Sequence, residues 1–291
     1  MHQVHLIERR EQLDYQEFVN NYLLPQRPVL IANATALWGA SKWTPEWFIQ
    51  HFPHKEVQAE GQTFELGTLL SRMLAEEPTP YLKQLDIPKH FPELLPFLTP
   101  DLAYSLPNRT GSRFFPKYWF GPGSGTLQLF IGGQGASQGI VHADMPPLHS
   151  YSALLAGQKE WWVWAPSEGR YLYTREDYPH ESSIKNVFEP DLARYPELAS
   201  ASVTRVVQQP GDLLFLPMGW WHTARTVSAS PTITVAWDVL CQKNWQSFVD
   251  HIYVSERADH PVRARLLRTY LQALGPVLNV FEARAGVGAT T

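Results

Sequence analysis

Residues 139–149 read GIVHADMPPLH. On an extended segment, residues two apart share a face, so His142 and Asp144 project together while Ala143 faces away. An imidazole and a carboxylate beside each other in an apolar stretch are costly unless they pair or bind a metal. For an isolated His-x-Asp the ordinary reading is a surface pair. A second stretch, QPGDLLFLPMGWWHTARTV at 209–227, alters that balance. Pro-Gly-Asp makes a turn, LLFLP a buried strand that Pro217 stops, and His222 begins the next strand. In an antiparallel barrel, strands far apart in sequence lie side by side, so His222 can meet His142 and Asp144. Two imidazoles and one carboxylate on one side of an octahedron suit Fe(II) and leave three adjacent positions for a co-substrate and O2. A third stretch is Gly157-Gln158-Lys159. Lys159 opens the strand KEWWVWAP on the face of Trp161 and Val163. It is either a strand-end lysine reaching solvent or a cation inside the barrel that needs an anion. Beside the triad, a co-substrate bearing a carboxylate is the better match.

These residues need a β scaffold, and the pattern supplies one. From about residue 125 the segments GTLQLFIGG, SALLAG, KEWWVWAP, SVTRVVQQP, DLLFLP, HTARTV and TITVAWDV are short, β-prone and bounded by turn signals. With residues 140–144 as a further strand, there are about eight, the number in a jelly roll. The segment 167–202 interrupts them and reads as a lid or binding loop. Upstream, apolar spacing predicts a helix within 11–24 that Pro25 ends, a buried strand at 28–34, and helices at 44–52 and 67–76. Residues 86–124 read mostly as loop. After 240 the chain turns helical, with Gly275-Pro276 expected to break or kink the last helix and the tail 286–291 expected to fray. The predicted organisation is a mixed helix and strand region at 1–124, a jelly-roll core at 125–240 and a helical region at 241–291. The fold class is therefore mainly β with flanking helices.

The 291 residues carry a net charge of -4, which disfavours a nucleic-acid partner. The one cysteine, Cys241, excludes an intramolecular disulfide and a cysteine zinc cage. It reads as a small buried apolar residue in a reducing compartment. The N-terminus has no apolar signal-peptide core and no run is long enough to span a membrane, so a cytoplasmic location is expected. With 11 Trp and 12 Tyr, many aromatics must be buried or line a cleft. Trp162 and Trp221 are candidates for a wall of the site or for the core.

HAD at 142–144, GQK at 157–159 and PMGWWH at 217–222 occur in the order, and at about the spacing, of the Jumonji C (JmjC) hydroxylases of the cupin-like type. They resemble in particular the hypoxia-inducible factor asparaginyl hydroxylase. The likeness extends to RPVLIANATALWGASKWTPEWF and PYLKQL upstream. It implies a double-stranded β-helix that uses Fe(II) and 2-oxoglutarate to hydroxylate a C–H bond, releasing succinate and CO2. His142, Asp144 and His222 would hold the iron. Lys159 would pair with the far carboxylate of 2-oxoglutarate, with Tyr81 hydrogen-bonded to the same group. Departures touch the co-substrate contacts. Ala236 stands where the hypoxia-type enzyme has an asparagine, Ser150 or Ser152 replaces another, and MPPLHSY carries two extra residues. Arg225 is the alternative to Lys159.

The remaining expectations concern partners. The substrate is read as an extended protein or peptide side chain, with a free amino acid or small metabolite as the alternative and a non-catalytic metal-binding module as a rival. A cupin isomerase or dioxygenase that needs no 2-oxoglutarate fits less well, because those use His-x-His. Leu267, Leu271, Leu274, Leu278 and Phe281 have the spacing of a helix seam. Related hydroxylases dimerise through helices here, so a homodimer is expected, packing on the chain's own barrel being the alternative. His149 is expected on a loop facing solvent, and His180, His251 and His260 at the surface or at helix ends.

Overall fold

The computed structural model describes residues 4–116 and 127–284; the tail expected to fray lies outside them, as does part of the 86–124 loop. The strands, in chain order, are β1 (Val4–Leu6), β2 (Arg9–Arg10), β3 (Val29–Ile31), β4 (Glu56–Ala59), β5 (Gln62–Glu65), β6 (Leu82–Asp86), β7 (Gln128–Gly132), β8 (His149–Ala156), β9 (Lys159–Trp164), β10 (Val203–Gln208), β11 (Leu213–Leu216), β12 (Trp221–Thr226) and β13 (Thr232–Val239). A major sheet has the order β2-β3-β11-β8-β13-β7-β6, and a minor sheet the order β1-β10-β9-β12. The two face each other as the walls of a jelly roll. β4 and β5 form a separate hairpin.

Alternation along each strand decides what lies between and outside the sheets. Leu30, Leu214 and Leu216 of the major sheet meet Trp161, Val163 and Ala224 of the minor sheet and close one end of the barrel. The other end opens into a cavity. The outer face of the major sheet, including Tyr151, Ala153, Val235 and Trp237, is covered by the N-terminal helices through Phe18, Trp43, Phe48 and Leu70.

Those helices have legible starts. Helix α1 (Tyr15–Phe18) begins where the Asp14 side chain accepts the Glu17 N–H, and it runs on as a π-helical turn to Leu23. Helix α2 (Pro45–His51) is capped by Thr44, with Pro45 in the first turn. Helix α3 (Leu66–Leu74) buries Leu66, Leu69, Leu70 and Met73, three and four residues apart. Asp86 caps the single-turn helix α4 (Ile87–His90).

The segment 167–202 is a structured wall rather than a free lid. Leu172, Ile184, Val187 and Leu198 pack on Trp164, Val203 and Trp221, on the outer face of the minor sheet.

At the C-terminus, helices α5 (Trp245–Glu256) and α6 (Pro261–Arg284) pack as a hairpin. Leu267, Leu271, Leu274 and Leu278 are buried against Trp245, Phe248, Val249 and Ile252. Each buried leucine contributes about 1.5–3 kcal/mol, so this contact is a core in its own right. The expected seam is therefore used within the chain, while Phe281 remains 52% exposed. Of the break or kink expected at Gly275-Pro276, the break does not occur: α6 continues through Pro276. Packing along α5 holds it on both sides of the proline, and the Trp245 indole N–H donates to the Leu271 carbonyl. Among the described residues no helix is long and apolar enough to cross a membrane.

Candidate metal and co-substrate site

Residues 140–144 form no regular strand, yet they are held on both sides. His142 and His222 each donate a backbone N–H to the other's carbonyl, at 3.1 and 2.8 Å. On the opposite edge the Ala143 N–H donates to His180 O, and the Ser182 N–H donates to Val141 O. Pro146 and Pro147 have no N–H to extend the ladder. Val141 and Ala143 are buried in the core of the insertion, so alternation turns His142 and Asp144 the other way, into the cavity.

One ligand atom from each of His142, Asp144 and His222 lies within 4.8 Å of the others. Asp144 Oδ1 is 3.6 Å from His142 Nε2 and 3.8 Å from His222 Nε2. His222 Nδ1 donates to Trp220 O at 3.1 Å, which leaves Nε2 as the lone-pair nitrogen. Burial, and then the neighbouring His222, lower the His142 pKa to about 4, so at neutral pH its ring is an uncharged donor. Burial alone would push the Asp144 carboxyl up, but His222, His142 and the Ser150 hydroxyl outweigh it and hold it below the usual range. Two imidazoles and a carboxylate on one side of an open cavity fit Fe(II).

The cavity has a volume of about 570 Å³ and reaches from the triad to Lys159. Gly157, at φ +73°, makes the turn that starts β9, and a Cβ there would lie 2.8 Å from Pro231 O. Lys159 is 4% exposed. Its ammonium donates to Tyr81 Oη at 3.1 Å and to Thr234 Oγ1 at 3.2 Å, and among the described residues no carboxylate pairs with it. Tyr81 lies where Gly132 has no side chain; a Cβ there would sit 3.0 Å from its ring. The structure thus places Lys159, Tyr81 and the triad around one cavity.

Ser150 enters it differently from the expectation of a co-substrate contact. Its hydroxyl donates to Asp144 Oδ2 and lies 2.9 Å from Asp238 Oδ1. Burial and the charge on Asp144 push the Asp238 carboxyl up to about 7, so this acid can in turn donate to Ser150 Oγ. Ser152 is buried, with its hydroxyl unpartnered among the described residues. Ala236 lines the cavity.

Other expectations move. Arg225 faces outward, bonded to Glu160 and stacked on Phe188, so it is no substitute for Lys159. Trp162 and Trp221 also belong to the outer face, and Trp161 lines the cavity instead, its ring 5.9 Å from that of His222. His149 is not on a solvent-facing loop. It opens β8 and is fully buried beside Phe215, because the strand starts earlier than the proline-rich sequence suggests. Thr234 and Asp238 were missed. The signal was there in TITVAWDV, where Thr232, Thr234, Ala236 and Asp238 alternate with four core residues.

A jelly roll with two histidines and an aspartate at its open end defines a class. The chain matches the cupin-like domain family model over residues 15–241 and belongs to that family. It is 25% identical over 262 residues to arginine-specific demethylase JMJ20 of Arabidopsis thaliana, covering 78% of this chain and 55% of that protein. It is 25% identical over 242 residues to lysine-specific demethylase 8 of Danio rerio, covering 76% and 56%. It is 23% identical over 269 residues to 2-oxoglutarate and iron-dependent oxygenase JMJD4 of Gallus gallus, covering 80% and 60%. The chain thus spans little more than half the length of these relatives. Their names agree with the JmjC oxygenase resemblance; the likeness to the asparaginyl hydroxylase rests on the motifs alone.

Proposed function

We propose that the protein is an Fe(II)- and 2-oxoglutarate-dependent oxygenase that hydroxylates a cationic side chain of a protein or peptide. The observation that carries the reading is Lys159. A buried ammonium without a counter-ion costs several kcal/mol, and a dicarboxylate held at the triad by one end would bring its other carboxylate to this cation, beside Tyr81 and Thr234. His142, Asp144 and His222 would hold the iron. When bound, iron and co-substrate supply the oxidation: 2-oxoglutarate, O2 and a substrate C–H give succinate, CO2 and C–OH.

The protein's own residues do the positioning. Ser150 fixes the free oxygen of Asp144, the Trp220 carbonyl fixes the His222 ring, and Trp161 screens the metal side from water. Asp238 faces the same cavity. A guanidinium or ammonium beside it would draw its carboxyl back to the charged form. The arginine- and lysine-directed names of two relatives favour the same substrate class. Residues 180–182 bond the edge of the triad segment, so an extended peptide at the cavity mouth would run beside the insertion. We further propose that the protein is a homodimer through the exposed side of α6.

The test is a mass screen of peptides treated with iron-loaded enzyme and 2-oxoglutarate. A gain of one oxygen, with succinate in step, supports hydroxylation; formaldehyde release from N-methylated peptides supports demethylation by the same C–H oxidation. Full turnover of a free amino acid or metabolite, with no peptide accepted, overturns the peptide reading.

A further inference from the structure

We propose that the outer face of the minor sheet carries a second ligand site, for a small carboxylate with an apolar body. Behind β9, on the side away from the triad, the insertion and the sheet line an open cavity of about 280 Å³. Its lining includes Trp162, Phe188, Leu192, Leu198 and Val203, and among the described residues Arg205 is the one charged residue in it. The volume lies near the lower end of ordinary ligand pockets, too small for a folded partner and right for a short amphipathic molecule.

Polar groups of Trp162 and Arg205 in this lining, and of Thr223 beside Trp162 in the sheet, are unfinished. Arg205 and Thr223 flank Trp162 in register across β10, β9 and β12. Among the described residues Trp162 Nε1, Arg205 Nε and Thr223 Oγ1 are buried and have no hydrogen-bond partner. The Arg205 guanidinium lies 3.7 Å from the centre of the Trp162 ring, and no carboxylate among the described residues pairs with it. Two positions along β12, the same face treats an arginine differently: Arg225 stands opposite Glu160 and bonds to it through two nitrogens. The sheet thus neutralises Arg225 internally and leaves Arg205 open to the cavity. A guanidinium stacked on an indole has its planar edge free, and that edge matches a carboxylate. The apolar walls then take the ligand's hydrocarbon part.

The site is separate from the catalytic cavity, because alternation along β9 sends Lys159 and Trp161 inward and Trp162 outward. Calorimetry or tryptophan fluorescence with octanoate, octanol and octylammonium tests it. Octanoate binds, octylammonium does not, and saturating 2-oxoglutarate leaves octanoate in place. Arg205→Gln weakens octanoate by at least about tenfold, the loss of a charge-assisted pair. Leu192→Asp, a change at an exposed rim position, weakens it by repulsion. No binding of octanoate, equal binding of octanol, displacement by 2-oxoglutarate, or unchanged affinity in both variants overturns the proposal.

Discussion

His142 and His222 exchange both of their backbone hydrogen bonds, although 80 positions separate them in the chain. An antiparallel pair of this kind puts its two side chains on one face, and the ring centres lie 4.4 Å apart. The third ligand follows from the same pairing, since Asp144 is two residues beyond His142. The backbone, rather than side-chain packing alone, therefore sets the donor geometry.

It follows that the ligands can be changed without loss of the fold. Asp144→Ala and His222→Ala keep the barrel and its circular dichroism. Anaerobic reconstitution followed by metal analysis gives about one iron per chain for the wild type and almost none for either variant. Iron retained in both would mean that the metal sits elsewhere.

His149 predicts an acid-labile fold. Burial, and then the positive charge of Lys243, lower its pKa to about 3, against about 6.5 in the unfolded chain. The unfolded state therefore binds a proton that the folded state refuses throughout that interval. Stability is fully present above about pH 6.5 and falls with decreasing pH by up to about 1.4 kcal/mol per unit until the folded pKa is reached. Denaturant midpoints measured from pH 7 to 4 show this slope, and His149→Asn flattens it. The neutral His149 Nδ1 accepts the Met218 N–H, which an asparagine oxygen can replace.

On the proposed reading, Asp238 faces the cationic group of the substrate. Asp238→Asn keeps the shape and the Ser150 contact but removes the anion. The KM for a lysine- or arginine-containing peptide rises by about tenfold to a hundredfold, the range for a lost charged hydrogen bond. The affinity for 2-oxoglutarate stays unchanged. Equal KM values for the two proteins would remove Asp238 from substrate recognition.

The exposed side of α6 carries Val262, Leu266, Tyr270, Val277 and Phe281, each at least 43% exposed and aligned at helical spacing. Light scattering at micromolar concentration gives a dimer mass, and Leu266→Asp gives a monomer that keeps its fold. A monomeric wild type ends this part of the account.

Much of the site was legible because strand alternation is a strong code. It placed His142 with Asp144, and Lys159 with Trp161, on faces that the barrel turns inward. The jelly roll itself followed from turn signals between short apolar runs. What was not legible depends on partners distant in sequence. The strand edge at 140–144 is shared with His180 and Ser182, and nothing local announces it. His149 sits behind two prolines that suggest a loop, yet Phe215 and the sheet take it in. The α6 leucines read equally well as a dimer seam, because periodicity gives a face and does not say what covers it. Asp238 is legible in principle, since its strand alternates cleanly and turns it to the same face as Thr234 and Ala236.

The central claim is that Lys159 and the triad are two ends of one 2-oxoglutarate site. Calorimetric titration of 2-oxoglutarate under anaerobic conditions, with and without Fe(II), tests it without any substrate. The account predicts binding that requires the metal and that weakens by roughly tenfold or more in Lys159→Ala, while iron content is unchanged. Failure of 2-oxoglutarate to bind the iron-loaded protein, or equal affinity in Lys159→Ala, would contradict it.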